Sequence, residues 1–555
     1  MLINFFYFFL ITLSSIGYGS FLHYKTNLKS EEFSNFGVIG LTGLFLLNII
    51  SYSLSFFDKI FSSVNIFIIL LGIFFFFIYL NKIRNKCFYI GLLFLTFVYI
   101  GILIGKPHDD FHYYHFPYIH YLLNSDFIFG VGHLNHGFRT TSSIFYLNAI
   151  FYNKYIGYGI FHYGAALYML FANIYLFEKI KFFSKNNYKN FSIFAICIFI
   201  FLNIFFYRIA EHGTDRSAQI ISLIFILEIF ILINFKYNLE NRIKILIIFL
   251  GLIISLKVFY ILFVVFSFIV IRHLFIDQKK DIKEIFQIVF LNPFFLLFII
   301  YISYIITVSF INTGCLLYPV SLTCLDNLPW SLGSDEATIM NNWYELWSKG
   351  GATPNMRVEN QEEYLTFLNW VPNWINIYFF TKVSDLLLGL IFVALVIIFT
   401  FKLRLVFSKY KFKILIFLIL ILMIEWFYNH PALRYGGYSL IAAIFFLIIS
   451  SLKEKKSLAK NLFQKKINYL ILITLSIFLL RNIDRITNEY EKYSYNPFKD
   501  PYYVFNSHDF RVMKKIDILK EDIFCKKNNN NCKDNEFEIN FLFNKKLYIS
   551  RRSND

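Results

Sequence analysis

Fourteen apolar runs, mostly 15–22 residues long, recur from one end of this chain to the other. Runs of that length, wound as helix, match the roughly 30 Å hydrocarbon thickness of a bilayer. Backbone in hydrocarbon must satisfy its own hydrogen bonds, so such a chain folds as a bundle of membrane-crossing helices. The expected spans are 2–22, 36–57, 64–80, 87–105, 159–177, 191–207, 217–235, 244–256, 258–272, 286–311, 384–401, 414–428, 436–451 and 467–481. With 57% of 555 residues hydrophobic, an ordinary soluble enzyme is excluded. Phe (73) and Tyr (39) are abundant alongside Ile, Lys and Asn, a bias that A+T-rich coding imposes on a whole proteome, so the aromatic excess carries no functional weight.

The net charge of +17 does not imply a nucleic-acid partner, because the cations alternate between loops. Loops 23–35, 81–86, 178–190, 236–243, 273–285, 402–413 and 452–466 are short and basic, the last reading "KEKKSLAKNLFQKK". The positive-inside rule places these in the cytoplasm. Loops 106–158 and 312–383 and both chain ends then lie outside, as expected for a multi-pass protein of a bacterial inner membrane. The first span has no basic residue before it and no small-residue cleavage site after it, which reads as a retained helix rather than a signal peptide.

These boundaries divide the chain into N-terminal spans (1–105), a first large outer loop (106–158), a core of spans (159–311), a second outer loop (312–383), C-terminal spans (384–481) and a polar tail (482–555). The stretch "SSIFYLNAIFYNKYIGYG" in the first loop reads as interfacial helix with tyrosines at headgroup depth. In the second loop Trp343, Trp347, Trp370 and Trp374 fit membrane-interface anchoring better than a sugar-facing surface. The tail, with its helix-like "DFRVMKKIDILKEDIF" and two strand-like runs, reads as a small α+β appendage. Cys87 and Cys197 fall inside spans as apolar filler. Cys315 with Cys324, and Cys525 with Cys532, are close pairs on the outer, oxidising side, and the expectation is two disulfides. Neither pair has zinc-site spacing, and no glycine-rich phosphate loop or internal repeat is present.

The chemistry concentrates on the outer side. "KPHDDFHYYHFPYIHYLLNSDFIFGVGHLNHGFR" (106–139) holds six of the twelve histidines, with Asp109, Asp110, His115, His136 and Arg139. "RIAEHGTDRSAQ" adds Glu211 and Asp215, and "NHPALRYGGY" adds Arg434 and Tyr435. Lys257 interrupts the apolar run 244–272; a lysine at mid-membrane costs on the order of 3 kcal/mol, so the run is expected to break into a hairpin with Lys257 at the outer surface. Taken singly, charges capping helix ends are ordinary solvation, and histidines among tyrosines are ordinary interface lining. Four outer loops supplying acid or base together suggest that the loops converge on a site.

In order and side, "PHDDF" with Asp109 and Asp110, "GTDRSAQIISLIFIL" with Asp215, and "GLIISLKVFY" with Lys257 resemble the GT-C superfamily of integral-membrane glycosyltransferases over residues 87–275. The outer loop also resembles, more narrowly, that of a bacterial polytopic family of unassigned activity, of the type "YDxGLYHxxxIxW…GLGNLHGRxxFNSS". Asp110, Tyr114, His115, Gly130, Gly132, Leu134, His136, Gly137 and Arg139 match it, as do "TGCLLYP" and "HPALRYGGY". His112 and the shifted Asn135 depart from that pattern.

The resemblance implies a GT-C-like core and transfer of a sugar from a polyprenyl-phosphate donor to a glycan, lipid or protein acceptor. Such transfer needs a base for the acceptor hydroxyl and cations for the departing phosphate. Asp110 is the expected base, with Asp109 as alternate and Asp215 as the second acid. Arg139, Lys257 and Arg434 are the expected phosphate cations; His115, His136, Glu211 and Tyr435 complete the substrate surface, and a divalent metal held by His115, His136 and Asp215 is a further option. A lipid-linked glycan flippase, an O-antigen-type polymerase and a non-catalytic envelope assembly protein remain as rivals. A flippase would show charges and helix breaks near mid-membrane and on both sides.

Overall fold

The computed structural model describes the chain apart from residues 27–35, 61, 80–85, 105–107, 109, 211–212, 236–237, 354–357, 408–411, 456–457, 499–520, 522–524, 526–536, 543–545 and 552–555. In chain order its helices begin with α1 (Leu2–Lys25), α2 (Phe36–Phe57), α3 (Ser62–Tyr79), α4 (Lys86–Ile102), α5 (Phe116–Asn124), α6 (Ser143–Phe151), α7 (Tyr163–Lys185), α8 (Lys189–Phe205), α9 (Gly213–Asn234) and α10 (Leu239–Leu256). They continue with α11 (Ser267–Arg272), α12 (Ile282–Phe290), α13 (Pro293–Thr313), α14 (Ser334–Lys349), α15 (Gln361–Leu365), α16 (Val371–Trp374), α17 (Ser384–Phe401), α18 (Lys413–Asn429), α19 (Gly437–Ser450) and α20 (Lys460–Tyr493). The described strands form two antiparallel pairs, β1 (Leu403–Phe407) with β2 (Leu452–Glu454) and β3 (Phe537–Leu542) with β4 (Lys546–Arg551).

Over the described residues, the apolar runs expected as spans are mostly helical. Among the described residues, eight helical segments are long and apolar enough to cross a membrane: Leu2–Lys25, Phe36–Phe57, Tyr158–Lys185, Gly213–Asn234, Val258–Asp277, Pro293–Thr313, Val371–Phe401 and Lys460–Tyr493. The chain is an all-α, multi-pass membrane protein. Helices α7, α8 and α9 are buried on nearly every face, whereas α13 and α17 present residues such as Leu296, Leu388 and Phe399 outward. Apolar residues on both the packed and the exposed faces are what a lipid-facing helix requires. Small residues let α1, α2 and α3 approach closely: a Cβ on Gly43 would stand 1.8 Å from the Ser15 carbonyl oxygen, and one on Gly17 would stand 1.8 Å from that of Gly72.

One expectation holds and two change shape. The run 244–272 breaks where expected: α10 ends at Leu256, Lys257 takes extended backbone at φ −150°, and a 3-10 segment, Val258–Phe266, follows. The expected span 286–311 is instead two helices, because Asn292 accepts from the Phe295 amide at 3.0 Å and caps α13, with Pro293 at its first position. The stretch 142–159 is not an interfacial helix. All nine residues of α6 are buried, and Tyr146 stacks on Tyr52 at 3.8 Å between ring centroids. Its hydroxyl meets that of Tyr118 at 2.9 Å. Tyrosines that satisfy one another go into the core rather than to the headgroups.

The tail divides. Its first twelve residues, 482–493, extend α20, and residues 537–551 hold the β3–β4 hairpin. The Ile549 amide donates to the Phe129 carbonyl at 2.9 Å, which fastens the hairpin to the histidine-rich loop. Gly130 permits this contact, since its φ is +74° and a Cβ there would lie 2.4 Å from the Ile549 oxygen. The helix-like stretch 509–524 falls almost wholly outside the described residues, as does Cys532 and with it the second expected disulfide. Cys315–Cys324 is a disulfide that closes the start of the second large loop.

A buried charge cluster, absent from the sequence reading, ties three helices at the far end of α9 from Asp215. Glu228 accepts from the Tyr175 hydroxyl at 2.5 Å and pairs with Lys179 at 2.7 Å and Arg242 at 3.0 Å. Its side chain has no solvent exposure. Removing one partner from such a cluster strands the others. Glu228→Gln keeps the shape but leaves two buried cations sharing no carboxylate. It should destabilise the folded protein by about 3–5 kcal/mol, measured as a lowered thermal transition in detergent; an unchanged transition would deny the cluster its structural role.

Candidate functional site

Four separate elements bring ionisable side chains to one end of the bundle. Asp110 directly precedes a π-helical turn, Phe111–His115. Asp215 sits in the first turn of α9, where the positive helix end favours a carboxylate. Lys257 caps α10 at the break described above. Arg434 lies in a 3-10 turn, Leu433–Tyr435, between α18 and α19.

Arg434 joins the two acids. Its Nη2 donates to Asp110 Oδ2 at 2.8 Å, and its Nε donates to Asp215 Oδ2 at 2.8 Å. Lys257 Nζ lies 2.6 Å from the other Asp215 oxygen. The planar guanidinium fork can address two carboxylates in fixed directions, which an ammonium cannot. Asp215 is nearly enclosed, with a side chain 7% exposed, whereas Asp110 and Arg434 retain 26% and 28%. Burial pushes the Asp110 carboxyl up, but the Arg434 charge and hydrogen bond outweigh it and hold the group below the ordinary carboxylate range. Arg434 is raised well above its ordinary value: burial opposes its charge, and Asp215, with Tyr435 and Asp110, more than restores it.

The arginine turn is held from five directions. Trp374 Nε1 donates to the Pro431 carbonyl at 3.2 Å, and Trp426 Nε1 to that of Ala432 at 2.9 Å. The Ala432 amide donates to Ser348 Oγ at 3.0 Å, and the Leu433 amide to the Tyr378 hydroxyl at 2.8 Å. Gln219, one turn beyond Asp215 on α9, donates to the Arg434 carbonyl at 2.9 Å. Side chains this well tethered preorganise a charge before any ligand arrives.

These groups open into a cavity of about 430 Å³ whose lining includes Asp110, Lys257, Arg434 and Tyr435. Opposite them stand Tyr344, Trp343 and Trp347 of α14, in the second large loop. The Arg434 guanidinium carbon is 5.6 Å from the Trp347 ring centroid, and Lys257 Nζ is 5.7 Å from that of Tyr435. The two outer loops therefore close over one space.

Residues 1–441 match a family model. The chain belongs to DUF8201, a family described as a domain of unknown function. No curated protein and no solved structure matches it. The DUF8201 match includes Asp110, Asp215, Lys257 and Arg434 and stops within α19, ahead of α20 and the tail.

The other expected site residues divide. His136 lines the cavity, its Nδ1 3.2 Å from the Tyr113 hydroxyl. Burial lowers its pKa. His115 lies beneath the site. Burial pushes it down to about 3, so it is neutral at physiological pH, and its buried Nε2 has no hydrogen-bond partner. Arg139 also lines the cavity but is engaged elsewhere: it donates to Glu336 at 2.7 Å, the Tyr318 hydroxyl at 3.1 Å and the Gly132 carbonyl at 3.1 Å. Its charge fastens the first loop to the second. Asp109 and Glu211 lie outside the described residues.

Among the described residues no three His, Cys, Asp or Glu side chains are grouped to hold a metal ion. Asp215, the acid in the metal option, already meets cations at both oxygens. The tryptophans split in a way the sequence did not indicate. Trp343 and Trp347 face the cavity, while Trp370 and Trp374 are buried at 0% and 4% exposure. Sequence reasoning missed Gln219, Ser348, Tyr378 and Trp426, which carry no motif and act only through the arginine turn.

Since the Asp110 carboxyl is depressed in the folded state, its contribution to stability is present above the unfolded carboxylate value and is lost as pH falls through the folded one. Acid should therefore loosen the Asp110–Arg434 tie. The gap in thermal stability between wild type and Asp110→Asn should be present at pH 7 and shrink below about pH 4, as melting curves across pH would record. A gap that persisted unchanged at pH 3 would contradict the assigned ion pair.

Proposed function

We propose that this protein is a membrane glycosyltransferase of the GT-C type, with a GT-C-like core and fourteen spans, acting at the outer face of a bacterial inner membrane. Its donor is a sugar on polyprenyl phosphate, and its acceptor is an envelope glycan, lipid or protein. The observation that carries the reading is the convergence of Asp110, Asp215, Lys257 and Arg434 around one aromatic-walled cavity. The clustering of these charges at one end of the bundle also favours a one-sided reaction over a flippase path, which would need breaks near mid-membrane.

In this reading the acceptor hydroxyl attacks the anomeric carbon, Asp110 takes its proton, and the bond from that carbon to the phosphate oxygen breaks. The phosphate leaves with the electron pair, and its charge meets Lys257 and Arg434. Asp215, paired on both oxygens, is the positioning residue that aims these cations. Asp110 is a weak base while Arg434 holds it. A donor phosphate that draws Arg434 toward itself removes the compensating charge and raises the basicity of Asp110. Donor binding would then switch on the base. Trp343, Trp347 and Tyr344 offer flat faces on which a sugar ring can stack.

Asp110→Asn keeps the size and accepts a hydrogen bond but cannot take the proton. In a reconstituted assay it should lower transfer by roughly 10²–10⁴-fold with donor binding retained. Lys257→Met should weaken donor binding instead. Normal transfer by Asp110→Asn would remove it as base, and normal transfer by both Asp110→Asn and Asp215→Asn would remove the enzyme reading.

A further inference from the structure

Arg216 follows Asp215 on α9, and consecutive side chains on a helix diverge by about 100°. Asp215 pairs with Lys257 and Arg434, which line the cavity described above, whereas Arg216 lines a second cavity of about 420 Å³. The two cavities have no lining residue in common.

The second cavity is strongly cationic. Arg208, Arg216, Lys382 and Arg481 line it, against one carboxylate, Asp385. Among the described residues no carboxylate lies within ion-pair distance of Arg216, Lys382 or Arg481. Arg216 is packed between two rings, its guanidinium carbon 4.5 Å from the Phe206 centroid and 4.2 Å from that of Tyr438. Its Nη1 is buried with no hydrogen-bond partner. Arg481 stacks on Tyr207 at 3.8 Å and donates to the Ile204 carbonyl at 2.6 Å. Stacking fixes the plane of each fork and leaves N–H edges for an acceptor.

Four cations held close together with one carboxylate among them repel one another, and an anion seated among them relieves that repulsion. Arginine forks favour a tetrahedral oxyanion, whose oxygens they meet bidentately. The cavity also lies at the start of α17, whose outward face is apolar at Leu388, Phe392 and Phe399. We propose that this cavity is a phosphate-binding site, separate from the candidate transfer site, that takes the phosphate of an amphiphile whose chains lie along α17 or of a water-soluble phosphate ester. The inference does not depend on the transferase reading, because it concerns binding in a cavity that shares no lining residue with the candidate transfer site.

The test uses the full chain in a neutral detergent, with short-chain phosphatidic acid and inorganic pyrophosphate as separate probes, followed by calorimetry. Lys382→Gln is the first variant, since Lys382 is exposed and makes no ion pair; Arg216→Gln is the second. At least one probe should bind wild type. The double variant should weaken that binding about tenfold or more. Rising salt should weaken it as well. Binding of phosphatidic acid alone assigns the site to a lipid headgroup, and equal binding of pyrophosphate assigns it to soluble phosphate. The proposal is overturned if neither probe binds, or if Lys382→Gln and Arg216→Gln, confirmed folded by their melting transitions, bind as wild type does. Loss of binding in Lys257→Met with the two variants unaffected would also overturn it, by placing the phosphate in the other cavity.

Discussion

Arg434 bridges Asp110 and Asp215, residues 324 and 219 positions before it in the chain, with two hydrogen bonds of 2.8 Å. That one guanidinium brings together the first outer loop, the start of α9 and the α18–α19 turn. Without it, two carboxylates would face each other with Lys257 alone to balance them. The scaffold around the turn has the same logic, since Trp374, Trp426, Tyr378, Ser348 and Gln219 each bond its backbone and so spend their polar groups on placing one charge. The opposite end of α9 is organised similarly, with one carboxylate, Glu228, holding Lys179 and Arg242. A helix buried on nearly every face thus has an ionic anchor at each end.

The charge arrangement also separates roles among cations that look alike in sequence. Arg139 is committed to Glu336 and Tyr318 and ties the two outer loops together. Lys257 and Arg434 share Asp215 and face the aromatic cavity. Arg216, one residue from Asp215, lines the second cavity and stacks between Phe206 and Tyr438. The first turn of α9 is a partition between two cavities, one with balanced charge and one with an excess of cations.

Much of this was legible in the sequence because the bilayer restricts it. Apolar runs of spanning length had to be helical, and a lysine inside the run 244–272 had to break it, which it does at Lys257. Convergence of Asp110, Asp215, Lys257 and Arg434 could be anticipated because charges avoid hydrocarbon and collect at span ends. The rest depended on contacts that have no sequence period. Helix α6 reads as amphipathic, yet Tyr146 finds Tyr52 and Tyr118 and goes into the core. Trp370 and Trp374 read as interface anchors, yet both are buried beneath the arginine turn. Glu228 sits in a strongly apolar stretch where a single acid gives no hint of Lys179 and Arg242 on neighbouring helices. Asn292 and Pro293 carry a helix-start signal inside a stretch that is otherwise strongly apolar.

The account turns on Arg434 exchanging Asp110 for a donor phosphate. A cryo-electron-microscopy structure of the protein in nanodiscs, with and without a polyprenyl phosphate, tests this most directly. The account predicts phosphate density within hydrogen-bonding distance of Arg434 and Lys257, with the Arg434–Asp110 contact opened and Asp215 still paired. Phosphate bound in the cavity with Arg434 still on Asp110, or bound only away from that cavity, would contradict it.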